Sequence, residues 1–455
     1  MTLIIVFMLV FGYLLIATGH LTGVNKAAIA MFIGTVGWVV YVCWGADFVM
    51  MLHADDYLEW LCGREPTSLT VKAFIYDHIF LKYVGKAAAI VMFLLATMTI
   101  VEILGNNGCF DFITEWIRTQ NSKRLVWTIT VATFLLSANL DNLTTATMML
   151  VVMHSIVRSR SQRMLIGAAI VIAANAGGCF TVIGDPLGLI LWGDEAITAT
   201  HFSAYLFLPA MVSWIVPTVM ISRQLPSRLD VDWVAAPYRG NDTRLNRWQR
   251  VVMFFVGIGG LWFIPTFRNI TRLSPFLGAL CVLSVLWVIN EAFNRKLMQA
   301  DQMAERRPRA IQYGAIQQML FVMGIMLSMG VLTESGVLGD IAEWIFGTLQ
   351  GNVWVMGFLS GLLSSVVDTF TIAITNVSFF PVGEGVFDTN GIYWLVIAFS
   401  TAMGGCLLSI GSTSGIALMQ MEHMHLGWYF RNLTWKVMVG FVAGLAVLFA
   451  ETFFL

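Results

Sequence analysis

Four acidic residues lie inside stretches of sequence that are otherwise apolar: Glu102, Asp141, Asp185 and Asp368. On insertion scales a charged side chain at a bilayer centre costs about 2.5–3.5 kcal/mol, so an acid in such a place is a functional candidate by default. No Lys or Arg shares the apolar segment of Asp141, Asp185 or Asp368. Each of these carboxyls is then expected to hold either a proton or a cation. Burial favours the neutral acid and a bound cation favours the carboxylate, so one Asp resists holding both. Competition of that kind couples a proton flux to a cation flux.

The neighbouring residues suit a hard cation. Asp141 stands between Asn139 and Asn142 and precedes Thr144, Asp185 follows Asn175 and Thr181, and Asp368 precedes Thr371. Carboxylate, carbonyl and hydroxyl oxygens are the ligands such cations take. A half-helix ending at Asp141 would add its carbonyls and the negative end of its dipole. Gly177 and Gly178 read as a backbone break before Asp185, freeing further carbonyls, and Gly404 and Gly405 as a second such break before Ser412. Glu102 is placed near the cytoplasmic end of its span, either as a site carboxylate or as a residue reaching the interface. His154, His423 and His425 fall on expected cytoplasmic ends, where solvated loop histidines are the plainer reading.

The elements that must position these residues follow from composition. Of 455 residues 58% are hydrophobic and 12% charged, about half the charged fraction of an ordinary soluble protein. That excludes a soluble enzyme. The net charge of −1 gives no sign of a nucleic-acid partner, and the six scattered cysteines form no metal motif and read as small packing residues. The apolar residues lie in blocks long enough to cross lipid, so the fold class is an all-α polytopic membrane protein. About ten full spans are predicted, near residues 3–19, 27–46, 86–104, 164–192, 205–222, 251–267, 275–293, 313–333, 392–419 and 436–455.

Two apolar stretches, 125–157 and 353–380, are interrupted by polar residues around Asp141 and Asp368. Basic residues flank both ends of the first and neither end of the second, so under the positive-inside rule they read as re-entrant hairpins entering from opposite faces. The loops at 223–250 and 294–312 then fall inside, and both termini outside.

The hairpins also repeat in sequence. Displaced by 227 residues, "LSANLDNLTTA" (136–146) meets "LSSVVDTFTIA" (363–373), and "AANAGGCFTVIGDPLG" (173–188) meets "STAMGGCLLSIGSTSG" (400–415). Asp141 pairs with Asp368, Thr144 with Thr371, and Asp185 with Ser412. A weaker match joins 110–117 to 338–345. Repeats of opposite orientation with broken helices are a signature of secondary transporters. The division expected is 1–85 as N-terminal spans and an external loop, 86–222 and 313–455 as the two repeats, and 223–312 as a linker with two spans.

At these motifs the chain resembles the NhaD-type sodium/proton antiporters of the wider ion-transporter superfamily. The Asn-Ala-Gly-Gly block ending in Gly-Asp and Trp (175–192) is the most specific part, and the likeness runs from about residue 86 to the C-terminus. The resemblance implies exchange of Na⁺ or Li⁺ for H⁺; the residues themselves place the metal ion at Asp141 and Asp185, and no cofactor is expected. The resemblance also implies an elevator-like transport domain, a homodimer and a bacterial plasma-membrane location. The chain departs from the family pattern after Asp368, with Thr369, Phe370 and Thr371, and after Gly178, with Cys179, Phe180, Thr181 and Val182. A sodium-coupled permease for a small anion, of dicarboxylate or arsenite type, is the alternative; the hairpin and broken-helix segments lack the Lys or Arg such a site would use. An intramembrane protease built on an Asp141–Asp368 dyad lacks a Gly-x-Gly-Asp motif, and no enzymatic activity is expected.

Overall fold

The computed structural model describes residues 2–110, 112, 117, 119–231, 245–294, 309–383 and 385–454. Most of the 110–117 half of the weaker sequence match and much of both Arg-rich loops lie outside these residues. Among the described residues the regular structure is helical, and the extended pairings are two isolated bridges, Asn121 with Arg228 and Val157 with Val231. Leaving aside three short helices, Gly19–Thr22, Gly45–Leu52 and Ala54–Leu61, the helices in chain order are α1 (Thr2–Ala17), α2 (Lys26–Cys43), α3 (Ser68–Asn106), α4 (Ser122–Ser137), α5 (Asn142–Ile156) and α6 (Arg160–Cys179). There follow α7 (Pro186–Gly193), α8 (Ala199–Ser222), α9 (Arg247–Trp262), α10 (Ile264–Thr271), α11 (Pro275–Asn294) and α12 (Arg309–Glu334). The last six are α13 (Val337–Thr348), α14 (Val353–Ser364), α15 (Thr369–Phe379), α16 (Ile392–Gly404), α17 (Thr413–Glu422) and α18 (Leu426–Phe453).

Among the described residues seven helices are long and apolar enough to cross a membrane, or eight if α9 and α10, bent by 46°, form one span. The chain is an integral membrane protein, and the expectation of about ten full spans is corrected. Two expected spans fall short. The first residues form a helix of 16 residues, and 392–419 is not continuous: α16 stops after 13 residues and α17 begins only at Thr413. The 164–192 stretch is broken in the same way, between α6 and α7.

Burial divides the molecule into two apolar clusters. One is built on α1, α2, the first half of α3 and α12. The other holds α4 to α6, α8 and the helices from α14 onward. Within it, residues 166–179 of α6 and 393–404 of α16 are buried without interruption, as befits helices that are apolar on every face. Ile190 of α7 and Phe370 and Ile374 of α15 pack in the first cluster, so these short helices stand at the seam.

Helices α2 and α12 pack along their length because small residues let the backbones close. A Cβ on Gly324 would lie 2.4 Å from the Ala30 carbonyl carbon, and one on Gly34 2.7 Å from the Gly324 oxygen. Further along, Gly37 faces Val331 and the Trp38 indole donates to the Leu327 carbonyl at 3.1 Å. The pairs advance together, so the two helices run parallel, and Lys26 and Gln318 stand towards the same end.

At another edge of the molecule His154 is exposed, as a solvated histidine would be, but it lies in the last turn of α5 and has a partner. Its Nδ1 lies 2.7 Å from the fully buried Glu422, which also accepts from Arg163 Nε at 2.8 and 3.0 Å, joining α17 to α5 and α6.

Candidate functional site

Each of the two polar interruptions forms a tight turn between two helices. Ser137 ends α4 and Asn142 opens α5, while Ser364 ends α14 and Thr369 opens α15. Both aspartates cap the second helix of the pair. Asp141 Oδ2 accepts from Thr144 N at 3.1 Å and Thr144 Oγ1 at 3.3 Å. Asp368 Oδ2 accepts from Phe370 N at 3.0 Å and from Thr371 N and Oγ1 at 3.3 and 3.5 Å. The half-helix expected to end at the first turn is α4, whose last residue is Ser137, while Asp141 itself meets the start of α5. It sits at a positive end, the place where a negative side chain is favoured. The i, i+3 spacing of Asp and Thr in both motifs is the sequence signal for that cap.

The breaks after α6 and α16 carry two further caps. Asp185 Oδ1 accepts from Leu187 N at 2.9 Å to start α7, and Ser412 Oγ accepts from Gly415 N at 3.1 Å to start α17. Thr181 donates to the Ala138 carbonyl at 2.6 Å, tying the first break to the first turn. Thr369 does the corresponding work in the second half, donating to the Gly411 carbonyl at 2.9 Å.

Four helix starts thus meet in one place, joined by a chain of polar contacts. Asn142 Nδ2 donates to Asp185 Oδ2 at 3.1 Å and to Asn175 Oδ1 at 3.2 Å. Asn175 Nδ2 donates to Ser414 Oγ at 2.9 Å, and Ser414 and Ser412 hydroxyls lie 3.2 Å apart. A cavity lies between them, lined by Asn142, Asn175, Asp185, Asp368, Ser412 and Gln318 among others. Asp141 and Asp368 are buried. Asp185 is partly accessible.

Two side chains from the other cluster reach in. Gln318 of α12 donates from Nε2 to Asp141 Oδ1 at 3.0 Å. Lys26, the first residue of α2, places Nζ 3.9 Å from Asp368 Oδ1, 3.4 Å from the Val367 carbonyl and 3.2 Å from the Ile410 carbonyl. Asp368 is therefore not without a basic neighbour, as its own segment suggested; the base comes from a distant helix.

The glycine pairs stand at the helix ends where breaks were expected, and they pack closely as well. Gly177 and Gly178 lie within α6, which continues to Cys179, and Gly404 is the last residue of α16 with Gly405 its cap. Their role is close approach. A Cβ on Gly177 would lie 2.3 Å from the Phe134 oxygen, and one on Gly404 2.3 Å from the Gly361 oxygen. Those two contacts are 227 residues apart at both ends. So are Ser137 Oγ to the Ala174 carbonyl at 2.6 Å and Ser364 Oγ to the Thr401 carbonyl at 2.8 Å. The displacement that aligns the sequence also aligns the contacts by which each helix pair docks.

A family model described as "Citrate transporter" matches residues 1–378. The chain belongs to that family. Among relatives of this citrate-transporter family member, Sodium/proton antiporter 1 of Arabidopsis thaliana is 33% identical over 374 residues, which are 80% of this chain and 62% of that protein. The chain thus spans less than two thirds of that relative's length. Sodium/proton antiporter 2 of the same plant is 31% identical over 85% of this chain and 90% of its own. The Na(+)/H(+) antiporter NhaD of Vibrio cholerae is 27% identical over 82% and 79%. The NhaD-type resemblance read from the motifs agrees with these matches.

In this family member the cluster gathers Asp141, Asp185, Asp368, Asn142, Thr144, Asn175, Thr181, Thr371 and Ser412. It does not gather Asn139 or Glu102. The Asn139 amide turns back to the Leu135 carbonyl at 3.2 Å, and Glu102, near the end of α3, is not among the residues lining the cavity. Three participants escaped the sequence reading: Lys26, Gln318 and Ser414. For Gln318 a signal exists: it is one of two adjacent amides, with Gln317, in the apolar run 313–333.

Proposed function

We propose that this protein is a secondary active transporter exchanging Na⁺ or Li⁺ for H⁺. The observation that carries the reading is the gathering of three aspartates, each using one oxygen to cap its own helix: Asp185 and Asp368 line one cavity, and Asp141 accepts from Gln318, which lines it too. With Lys26 the base that reaches them among the described residues, the ionised cluster has an excess of negative charge that suits a cation. Asp141 and Asp185 hold the metal ion, with Asn142, Thr144, Asn175 and Thr181 as supporting oxygens and amides. The names of the sodium/proton antiporter relatives support the same reading.

In this reading the two helix pairs are re-entrant hairpins of opposite orientation. Residues 86–222 and 313–455 form inverted repeats around a linker, 223–312, and 1–85 adds the N-terminal spans. The helix pairs and broken helices move as a unit against α2 and α12, and the protein works as a homodimer in the plasma membrane of a bacterium. Opposed helix starts and broken helices are the usual frame of such sites.

A second reading is a sodium-coupled permease for a small anion. The family description and the ammonium of Lys26 favour it. Against it, an anion would seek free helix N-termini, and the four that meet here are already capped by Asp141, Asp185, Asp368 and Ser412. Purified protein in proteoliposomes with a pH-sensitive dye separates the two. Na⁺ or Li⁺ added outside should move protons, K⁺ should not, and Asp141→Asn should abolish the response. Undiminished proton movement in that variant overturns the cation-site assignment, and uptake of labelled citrate without proton movement transfers the case to the permease.

A further inference from the structure

The ammonium of Lys26 is held as a metal cation would be, by the Asp368 carboxylate and the carbonyls of Val367 and Ile410. Its position in its own helix is unfavourable. Asn25 caps α2 by accepting from Ala27 N at 2.9 Å, which puts Lys26 in the first turn, where a positive charge opposes the helix dipole. Something other than helix stability therefore accounts for a lysine there. Its location is fixed by the close packing of α2 on α12, and its charge projects across the seam to the Asp368 turn.

The repeat supplies the comparison. Residues 227 positions before Val367, Asp368 and Ile410 are Leu140, Asp141 and Ile183. The two sets occupy matching places in helix pairs that dock through matching contacts. At the Asp141 turn, however, the group reaching Oδ1 is the neutral amide of Gln318. One turn is met by a charge that belongs to the chain and the other is not.

We propose that Lys26 is a tethered cation occupying the second of two equivalent cation sites, so that only the site formed by Asp141 and the Leu140 and Ile183 carbonyls, with Asp185 beside them, takes a mobile Na⁺. This rests on reading the aspartate cluster as a cation site. It sets the number of Na⁺ bound per chain at one. Removing the ammonium while keeping its apolar stem should open the second site.

The test is equilibrium binding of ²²Na⁺ to the purified full-length protein in detergent, with wild type, Lys26→Met and Lys26→Arg compared. Wild type and Lys26→Arg should bind one Na⁺ per chain and Lys26→Met two. One Na⁺ in Lys26→Met overturns the proposal while leaving the cation-exchange reading intact, and two in wild type overturns it as well. No Na⁺ binding by wild type, together with no Na⁺-driven proton movement in the dye assay, overturns both. Thermal unfolding covers a variant that folds poorly. Because a ligand that binds only the folded state stabilises it in proportion to its occupancy, Na⁺ should raise the melting temperature of Lys26→Met more steeply than that of wild type, and choline should not. An equal or smaller Na⁺ dependence counts against the second site.

Discussion

The Asp141 and Asp368 turns are built alike and partnered differently. In both, one carboxylate oxygen caps the following helix and the other faces a side chain from the α2–α12 pair. In both, a serine just before the turn bonds a carbonyl of the long buried helix behind it. The difference is a neutral amide at one turn and an ammonium at the other, with Asp185 beside the first where Ser412 stands beside the second. Docking has thus kept its symmetry while charge has not. In the proposed reading the repeated turns set where a cation can sit, and the side chains that face them from α2 and α12 decide whether the place is open.

The largest effect should come from making the first turn like the second. Gln318→Lys would bring an ammonium to Asp141, and Na⁺-dependent proton movement in proteoliposomes should fall to background. Retained exchange would break the comparison, because it would mean that a tethered charge at a turn does not close it. A smaller effect is expected from Asp185→Ser, which gives the first half the residue found at Ser412. The mobile cation loses a carboxylate and Asn142 loses its 3.1 Å acceptor. Na⁺ affinity, measured by ²²Na⁺ binding, should weaken at least about tenfold, a change of roughly 1.4 kcal/mol. Affinity unchanged from wild type would remove Asp185 from the site.

What could be read from the sequence was what local spacing encodes. The aspartates, their threonines, the glycine pairs and the 227-residue displacement are all properties of short segments, and the structure brings most of them together. The partners of the carboxylates were not legible, because Gln318 lies 177 residues from Asp141 and Lys26 lies 341 residues from Val367. Lys26 also sits at the edge of its apolar run, where a base reads as an interfacial residue. Span counting failed for a related reason. Hydropathy sees 392–419 as one apolar block, but a helix start at Ser412 needs a side-chain oxygen and a free N–H, and these interrupt the helix without lowering the hydrophobicity much.

Two pairs of substitutions probe the symmetric part. Gly177→Ala and Gly404→Ala would each drive a Cβ to 2.3 Å from a backbone oxygen. The helix pair must shift, a kind of overpacking that costs about 1–3 kcal/mol. Thermal unfolding in detergent should report a similar loss for both. Gly193→Ala, where no atom lies within 4 Å of the added Cβ, should stay within about 0.5 kcal/mol of wild type. A loss in only one of the buried pair would show that the two helix pairs dock by different means.

Apart from the Gly193→Ala control, the smallest effect expected is that of Ser137→Ala and Ser364→Ala. Each removes a buried hydroxyl that donates to one carbonyl, at 2.6 Å to Ala174 and at 2.8 Å to Thr401. A buried hydrogen bond contributes about 1 kcal/mol net, and the carbonyl left behind on α6 or α16 lies in a helix whose ladder is otherwise intact. The two losses should be nearly equal in thermal unfolding, and they should add in the double variant, since separate sites without shared partners are additive to within about 0.5 kcal/mol. Neither should alter the number of Na⁺ bound, because neither serine touches a carboxylate in the described contacts. If Ser137→Ala alone reduced Na⁺ binding, charge and docking would not be separable at the first turn, and the asymmetry between the halves would begin in the hairpins themselves and not in the helices that face them.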